Sequence, residues 1–333
     1  MGNLRILVIS DSLHTLPKAV AALETSGHTV TWLNDLIPFD RIKADGLAEL
    51  ASVDAIVMGR IMGIDGPTLD LTPKLRVLAL HTSGTDNVDL AAASARGITV
   101  TNVKGVNAEQ CAEFSIGLML ALVRQIRRGD IAIRAGRWAA DTQGSMDIWG
   151  ATFGMIGLGQ IGRAAARRAK AFGMNIICHT RTPDPVVAAE LGITYLPLDE
   201  VMARSDVVSI FASLNATTRH IVSAAQIAQM QKHAYLVNIA RGELVDEAAL
   251  IDALSEGRIA GAALDVFERE PLTDSPLFAL ENVILTPHQA GLTHNAKSDA
   301  AVTAVRNALA VLAGEAAPNA VNIPRQRPRG SRT

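Results

Sequence analysis

The chain has 333 residues, 49% of them hydrophobic and 19% charged, with a formal net charge of −2. That length holds two domains of ordinary size, each with its own core, and that composition excludes a disordered chain. A charge so near zero leaves no footprint for nucleic acid or an anionic membrane, and no apolar run reaches the roughly 18 residues of a membrane span.

The first residues, MGNLRILVIS, run straight into a strand-like segment without the charged start and cleavage site of a secretory leader, so a cytoplasmic protein is expected. Short apolar runs at 4–10 (LRILVIS), 28–33 (HTVTWL), 55–59 (AIVMG) and 76–80 (RVLAL) predict buried parallel strands. LPKAVAALETSG, with Pro17 in its first turn and Gly27 at its end, predicts a helix between the first two. Such alternation predicts a doubly wound sheet with helices on both faces.

Residues 107–126, NAEQCAEFSIGLMLALVRQI, form an apolar, helix-length join to a second series of strands: ATFGMIGLG, MNIICHT, DVVSIFA, AYLVNIA, AGAALDVF and NVILTP. Six strands make a full dinucleotide-binding domain. Residues 296–314, AKSDAAVTAVRNALAVLAG, have helical spacing and no strand after them, so they are expected to return to the N-terminal unit. The expected fold is α/β: a Rossmann lobe at 105–289 inserted into a discontinuous, flavodoxin-like lobe at 1–104 and 290–322. The basic residues 323–333 are expected to form a frayed tail. The two crossings would act as a hinge beside an interlobe cleft, a common place for a ligand. Cys111 and Cys178 form no C-x-x-C pair, which fits two small buried residues rather than a disulfide or a zinc site.

GLGQIG sets Gly157, Gly159 and Gly162 in the G-x-G-x-x-G spacing, after the strand TFGMI and before an Ala/Arg-rich helix. Gly157 permits the tight turn, Gly159 lets backbone approach a pyrophosphate, and Gly162 lets helix and strand pack closely. The helix start, with Gln160 and Ile161, offers amide donors and a partial positive charge. The next strand ends at Thr180, where an acidic residue would bond the adenosine ribose and repel a 2′-phosphate. Thr180 is neutral, and Arg181 beside it is a planar donor suited to phosphate. With Thr182 it completes a loop expected to prefer NADP(H) over NAD(H). Two other readings stand: Arg181 stacked on adenine in an NAD enzyme, or Asp184 recruited to the ribose.

Three polar residues follow predicted strand tips: Arg241 in LVNIARGELVDE, Glu270 in GAALDVFEREPL and His288 in NVILTPHQAG. Carboxyl ends of strands face the ligand crevice of an open α/β sheet, so the three are expected to converge beside a nicotinamide. A guanidinium clamps a carboxylate and polarises the adjacent carbonyl. A histidine exchanges a proton with the carbonyl oxygen as hydride moves. A carboxylate fixes that histidine's tautomer and favours its charged form. The chemistry implied is reversible reduction of a small 2-oxo acid. One histidine among eight, an arginine after a strand or a glutamate before proline is by itself more often solvated or packed; their placement on consecutive strand ends carries the reading.

On GLGQIG, LVNIARGELVDEAAL, GRIAGAALDVFEREPL and VILTPHQAG, the chain resembles the D-isomer-specific 2-hydroxyacid dehydrogenase family over almost its whole length. The resemblance implies that Arg241 binds substrate and that Glu270 and His288 are the paired acid/base residues. It implies that Asp265 holds the nicotinamide carboxamide, and that backbone amides around Ser83 and Gly84, in HTSGTDNVDL, receive the substrate carboxylate. Ile239 and Ala240, leading into Arg241, are placed against the cofactor. A homodimer joined through the cofactor lobe is expected. The chain departs from the family pattern at Arg269, in place of a proline, at Gln289, in place of an aliphatic residue, and in SLNATTRH, which lacks a proline.

Formate dehydrogenases of similar pattern place glutamine where Glu270 stands, so the carboxylate argues for hydroxy-acid chemistry. Regulatory phosphoglycerate dehydrogenases carry an extension, and only a short segment follows Gly314 here, so at most a short form of that enzyme is expected. Glyoxylate and hydroxypyruvate are the leading substrates. D-lactate-type acids, bulkier 2-oxo acids and a nucleotide-sensing corepressor role are the alternatives.

Overall fold

The computed structural model describes residues 3–10, 12–33, 50–59, 63–138 and 145–325. The chain forms two compact units, Met1–Asn107 with Thr293–Thr333, and Ala108–Leu292. The expected lobe boundaries fall a few residues before these limits. The expected tail is described as far as 325, where Ile323 is exposed and the Arg325 amide donates to the Ser94 carbonyl.

In the first unit, β1 (Arg5–Ile9), β2 (Thr29–Leu33), β3 (Ala55–Met58), β4 (Val77–Leu80) and β5 (Thr99–Thr101) form a parallel sheet in the order β2-β1-β3-β4-β5. This is the flavodoxin-like order. β3 and β4 are buried at every position, as strands covered on both faces must be. The helices α1 (Pro17–Glu24), α2 (Gly66–Asp70) and α3 (Leu90–Ala95) follow strands in the manner expected of the fold. The C-terminal helix His294–Ala313 returns to this sheet. Its Ala300, Ala301, Ala304, Val305, Ala308 and Leu312 pack on Ile6, Val8, Val57, Val77 and Ala79. Alanines on that face let the helix approach the strands closely, and Arg76 donates to the Val311 and Leu312 carbonyls at its end. β5 has no counterpart among the expected strands, because three residues carry no readable period.

The second unit holds α4 (Ala108–Val123), α5 (Ile126–Arg134) and seven parallel strands: β6 (Thr152–Ile156), β7 (Asn175–His179), β8 (Ile193–Tyr195), β9 (Val207–Ile210), β10 (Tyr235–Asn238), β11 (Gly261–Leu264) and β12 (Val283–Leu285). Between them run α6 (Gln160–Ala171), α7 (Pro185–Leu191), α8 (Leu198–Arg204), α9 (Ala224–Gln229) and α10 (Glu247–Ser255). The order β12-β11-β10-β9-β6-β7-β8 is that of a dinucleotide-binding sheet with one strand added at an edge. β8, at the other edge, is the strand that the six expected ones lack. The single helix expected at 107–126 breaks at Gln125, whose φ of 52° ends α4 and redirects α5. Cys111 and Cys178 are buried free thiols, pushed up to about 11 and about 12 mainly by that burial. Among the described residues no helix is long and apolar enough to cross a membrane.

Candidate active site

Gly157 follows β6 with φ of 96°, and its amide donates to the His179 carbonyl at the tip of β7, 2.8 Å away. A Cβ at Gly157 would lie 2.7 Å from the Ala212 nitrogen, and one at Gly162 would lie 2.8 Å from the Gly157 carbonyl oxygen. Packing inside the protein therefore requires both glycines. Gly159 differs: among the described residues a Cβ there would meet nothing within 4 Å, and it stands as the N-cap of α6. None of those residues demands that glycine, whereas close approach of a phosphate to the helix start would. The residues at this turn thus fit a dinucleotide. Gln160 is exposed, while Ile161 is half-buried against Ala112, Ala164 and Ala165, so the two split between the ligand side and the core.

Thr180, Arg181 and Thr182 follow β7 directly. Arg181 and Thr182 are exposed, and Arg181 has no carboxylate partner among the described residues. Asp184 already has several partners. Its Oδ1 accepts from the amides of Val186 and Val187 at 3.1 and 3.2 Å, capping α7, and its Oδ2 faces Arg163 at 3.3 Å. In the alternative in which Asp184 serves the ribose, the carboxylate would have to share these partners.

Arg241, Glu270 and His288 follow β10, β11 and β12, three neighbouring strands, so the sheet sets the glutamate loop between the other two. His288 Nδ1 lies 2.9 Å from Glu270 Oε2 and 3.1 Å from Oε1, with the two side chains 30% and 18% exposed. Glu270 Oε1 also accepts from the Phe267 amide at 3.2 Å, which fixes the carboxylate on its own loop. The Arg241 guanidinium donates to the Ala240 carbonyl at 2.7 Å. Asn238, buried at the end of β10, shapes that turn: its Nδ2 donates to the Arg241 carbonyl and its Oδ1 accepts from the Ala240 amide. Ile239 turns its side chain into the core, so only its backbone faces the strand end.

Asp265 is fully buried, and three donors answer its charge. Oδ1 accepts from Thr286 Oγ1 at 2.5 Å and the Gln289 amide at 2.9 Å, and Oδ2 accepts from the Ala290 amide at 2.9 Å. All three donors lie on the segment that carries His288. That histidine sits at φ of 51°, a left-handed conformation costing a side-chain-bearing residue about 1–2 kcal/mol. Bonds to an ionised acceptor are worth about 1.5–3 kcal/mol each, enough to hold the segment in this shape. Asp265 thus orders the histidine loop whatever else it contacts. Asn238 and Thr286 went unread in the sequence; a polar residue closing an apolar strand, as in YLVN, is the signal that Asn238 left. Cys111, on the first turn of α4, lies close enough to feel the charges of Asp265 and Arg241.

Ser83 and Gly84 belong to the first unit, beyond β4. Asn102 Nδ2 donates to the Ser83 carbonyl at 2.8 Å, Ser83 Oγ donates to Asn107 Oδ1 at 3.1 Å, and Thr82 Oγ1 donates to the Gly84 carbonyl at 3.1 Å. The loop's carbonyls are thus engaged by side chains of its own unit.

Gly242 joins the arginine and glutamate loops. A Cβ there would overlap the Phe267 carbonyl and the Glu268 nitrogen, which are backbone and have no rotamer to yield. Gly242→Ala therefore forces apart the loops bearing Arg241 and Glu270. Overpacking of this kind costs about 1–3 kcal/mol, and about 2–4 °C of Tm per kcal/mol in a domain of this size. The expected result is a lower Tm in a thermal melt together with at least a tenfold fall in kcat/KM; a variant with parental Tm and turnover would show that the contact is not needed.

Residues 116–290 match the family described as D-isomer specific 2-hydroxyacid dehydrogenase, NAD binding domain. The chain is 41% identical over 284 residues to a glyoxylate reductase of Korarchaeum cryptofilum, covering 83% of this chain and 86% of that one. It is 38% identical over 321 residues to a D-3-phosphoglycerate dehydrogenase of Mycobacterium bovis, covering 96% of this chain but 59% of that longer protein. Among solved structures it is similar to the NADPH-dependent glyoxylate/hydroxypyruvate reductase of Sinorhizobium meliloti in complex with NADP and malonate, with a TM-score of 0.84 and 33% identity over 98% of this chain and 99% of that one. With a nicotinamide-binding sheet, the Arg, Glu and His strand ends and relatives of this identity, the chain belongs to the D-isomer-specific 2-hydroxyacid dehydrogenase family and is an NAD(P)-dependent oxidoreductase acting on the CH–OH group of small 2-hydroxy acids.

Proposed function

We propose that this protein reduces glyoxylate or hydroxypyruvate to the D-2-hydroxy acid, using NADPH in preference to NADH. The observation that carries the chemistry is the His288–Glu270 pair, 2.9 Å apart on neighbouring strand ends. Nδ1 of His288 is committed to Glu270, so proton exchange with the substrate oxygen falls to Nε2. Glu270 balances the imidazolium and holds the ring in one tautomer. Arg241 clamps the substrate carboxylate and draws electron density from the neighbouring carbonyl; the family resemblance also assigns the backbone amides around Ser83 and Gly84 to substrate binding. A reduced nicotinamide, when bound, supplies the hydride. Gly157, Gly159, Gln160, Ile161 and Gly162 would hold its pyrophosphate, with Ile239 and Ala240 along its path. The family resemblance assigns its carboxamide to Asp265; that carboxylate is fully buried and bonded to Thr286, Gln289 and Ala290, so its part is to order the segment carrying His288.

The NADPH preference rests on the neutral Thr180, on the exposed Arg181 and on the occupied carboxylate of Asp184. Similarity to an NADPH-dependent reductase supports it. The phosphoglycerate dehydrogenase relative keeps a second reading open, in which the substrate carries a phosphate. The identity of 41% to the glyoxylate reductase against 38% to that relative supports the first.

A homodimer joined through the cofactor unit is also proposed. Large apolar side chains of that unit face solvent: Ile126, Ile131, Ile133, Trp138 and Phe278. Ile131 and Phe278 line one groove, and a second copy of the chain covering it would bury both.

Absorbance at the nicotinamide band, followed with NADPH or NADH and a panel of glyoxylate, hydroxypyruvate, phosphohydroxypyruvate and pyruvate, tests the substrate reading directly. His288→Ala is expected to lower turnover by roughly 10²- to 10⁴-fold with cofactor affinity retained; near-normal turnover removes His288 from the mechanism. Glu270→Gln takes away the anion that favours the imidazolium. The limb of the pH–rate profile for reduction that requires a protonated histidine should move to lower pH, and an unmoved limb would mean that the pair is not coupled. Arg181→Ala should weaken NADPH about ten- to a hundredfold, the equivalent of a charge-assisted bond of about 1.5–3 kcal/mol, and leave NADH nearly unchanged. Equal losses for both cofactors in a fluorescence titration would refute the assignment of Arg181.

A further inference from the structure

The loop after β7 contains one carboxylate, Asp184, and it stands three residues beyond Arg181. In a dinucleotide-binding sheet a carboxylate in this region favours a ribose hydroxyl and repels a 2′-phosphate. The loop lies beside the glycine turn, because the Gly157 amide bonds the His179 carbonyl at the tip of β7. A second cation enters from the helix that follows that turn. Arg163, in the first turn of α6 and immediately after Gly162, places Nη2 3.3 Å from Asp184 Oδ2.

The remainder of Asp184 is fixed as well. Oδ1 caps α7, the backbone amide donates to Tyr195 Oη at 3.1 Å, and Tyr195 Oη donates back to the Asp184 carbonyl at 3.0 Å. The Arg163–Asp184 pair is 42% and 38% exposed, and a pair in that setting adds little to folding. Its consequence is local charge. With Asp184 matched by Arg163, Arg181 leaves the loop net positive.

We propose that Arg163 is a specificity-determining residue that acts through Asp184: by neutralising the one carboxylate of the loop, it keeps the adenosine end of the cofactor site receptive to a 2′-phosphate. This rests on the NADPH reading above and adds a residue outside the loop to it.

The test is a two-by-two comparison of dissociation constants for NADPH and NADH, by fluorescence titration at low ionic strength, in the full chain and in Arg163→Ala, Asp184→Asn and the double variant. Asparagine retains the helix cap, so folding is not at stake. Arg163→Ala should weaken NADPH relative to NADH by roughly three- to tenfold, an effect that salt reduces. Asp184→Asn should raise the NADPH to NADH preference. In the Asp184→Asn background, Arg163→Ala should change that ratio by less than about twofold. An unchanged ratio in Arg163→Ala overturns the inference, and so does an equal loss in both backgrounds, which would mean that Arg163 touches the phosphate itself. A wild-type protein that binds NADH more tightly would instead refute the NADPH reading, while the comparison of the two backgrounds still decides the part played by Arg163.

Discussion

A carboxylate with no access to water must be answered by donors in its own surroundings, or the burial costs several kcal/mol. Asp265 is in that position, at the end of β11, and its donors are Thr286, Gln289 and Ala290. Satisfying the charge therefore dictates the course of the chain after β12, including the left-handed backbone at His288. Once that segment is set, the imidazole meets Glu270 at 2.9 Å. Gly242 supplies the matching constraint from the other side, since the arginine turn can lie against residues 267 and 268 only without a side chain. Arg241, Glu270 and His288 are thus positioned by one buried charge and one absent Cβ, neither of which belongs to the three.

Sheet order distributes the work of the second unit. β6 and β7 carry the glycine turn and the loop with Arg181, whereas β10, β11 and β12 carry the arginine, the glutamate and the histidine, with β9 between the two groups. The roles proposed above for nucleotide binding and for proton handling thereby fall on different strand ends of one parallel sheet.

Charge in the loop after β7 is a matter of pairs rather than of single residues. Counting residues in TRTPD gives one cation and one anion. In the folded protein the anion is shared between the start of α7 and an arginine from α6, so the balance is positive. Arg163 stands well apart from this loop in the chain, and only the fold brings it there.

The strand and helix alternation, the glycine spacing and the three polar residues beyond apolar runs were all legible in the sequence. Each depends on local pattern: period, turn chemistry and position after a strand. What escaped was short or non-local. β5 and β8, three residues each, are stabilised by neighbouring strands and not by any pattern of their own. The helix expected at 107–126 showed no proline or glycine where Gln125 interrupts it, because a single left-handed residue leaves no compositional mark. The sequence by itself determined which residues are available for chemistry, and in what order they stand on strand ends. Only the tertiary structure decided that Asp265 holds the histidine loop, that Gly242 admits the glutamate loop and that Arg163 reaches Asp184, because each of these is a contact between residues far apart in the chain, made by packing and charge compensation that no local window contains.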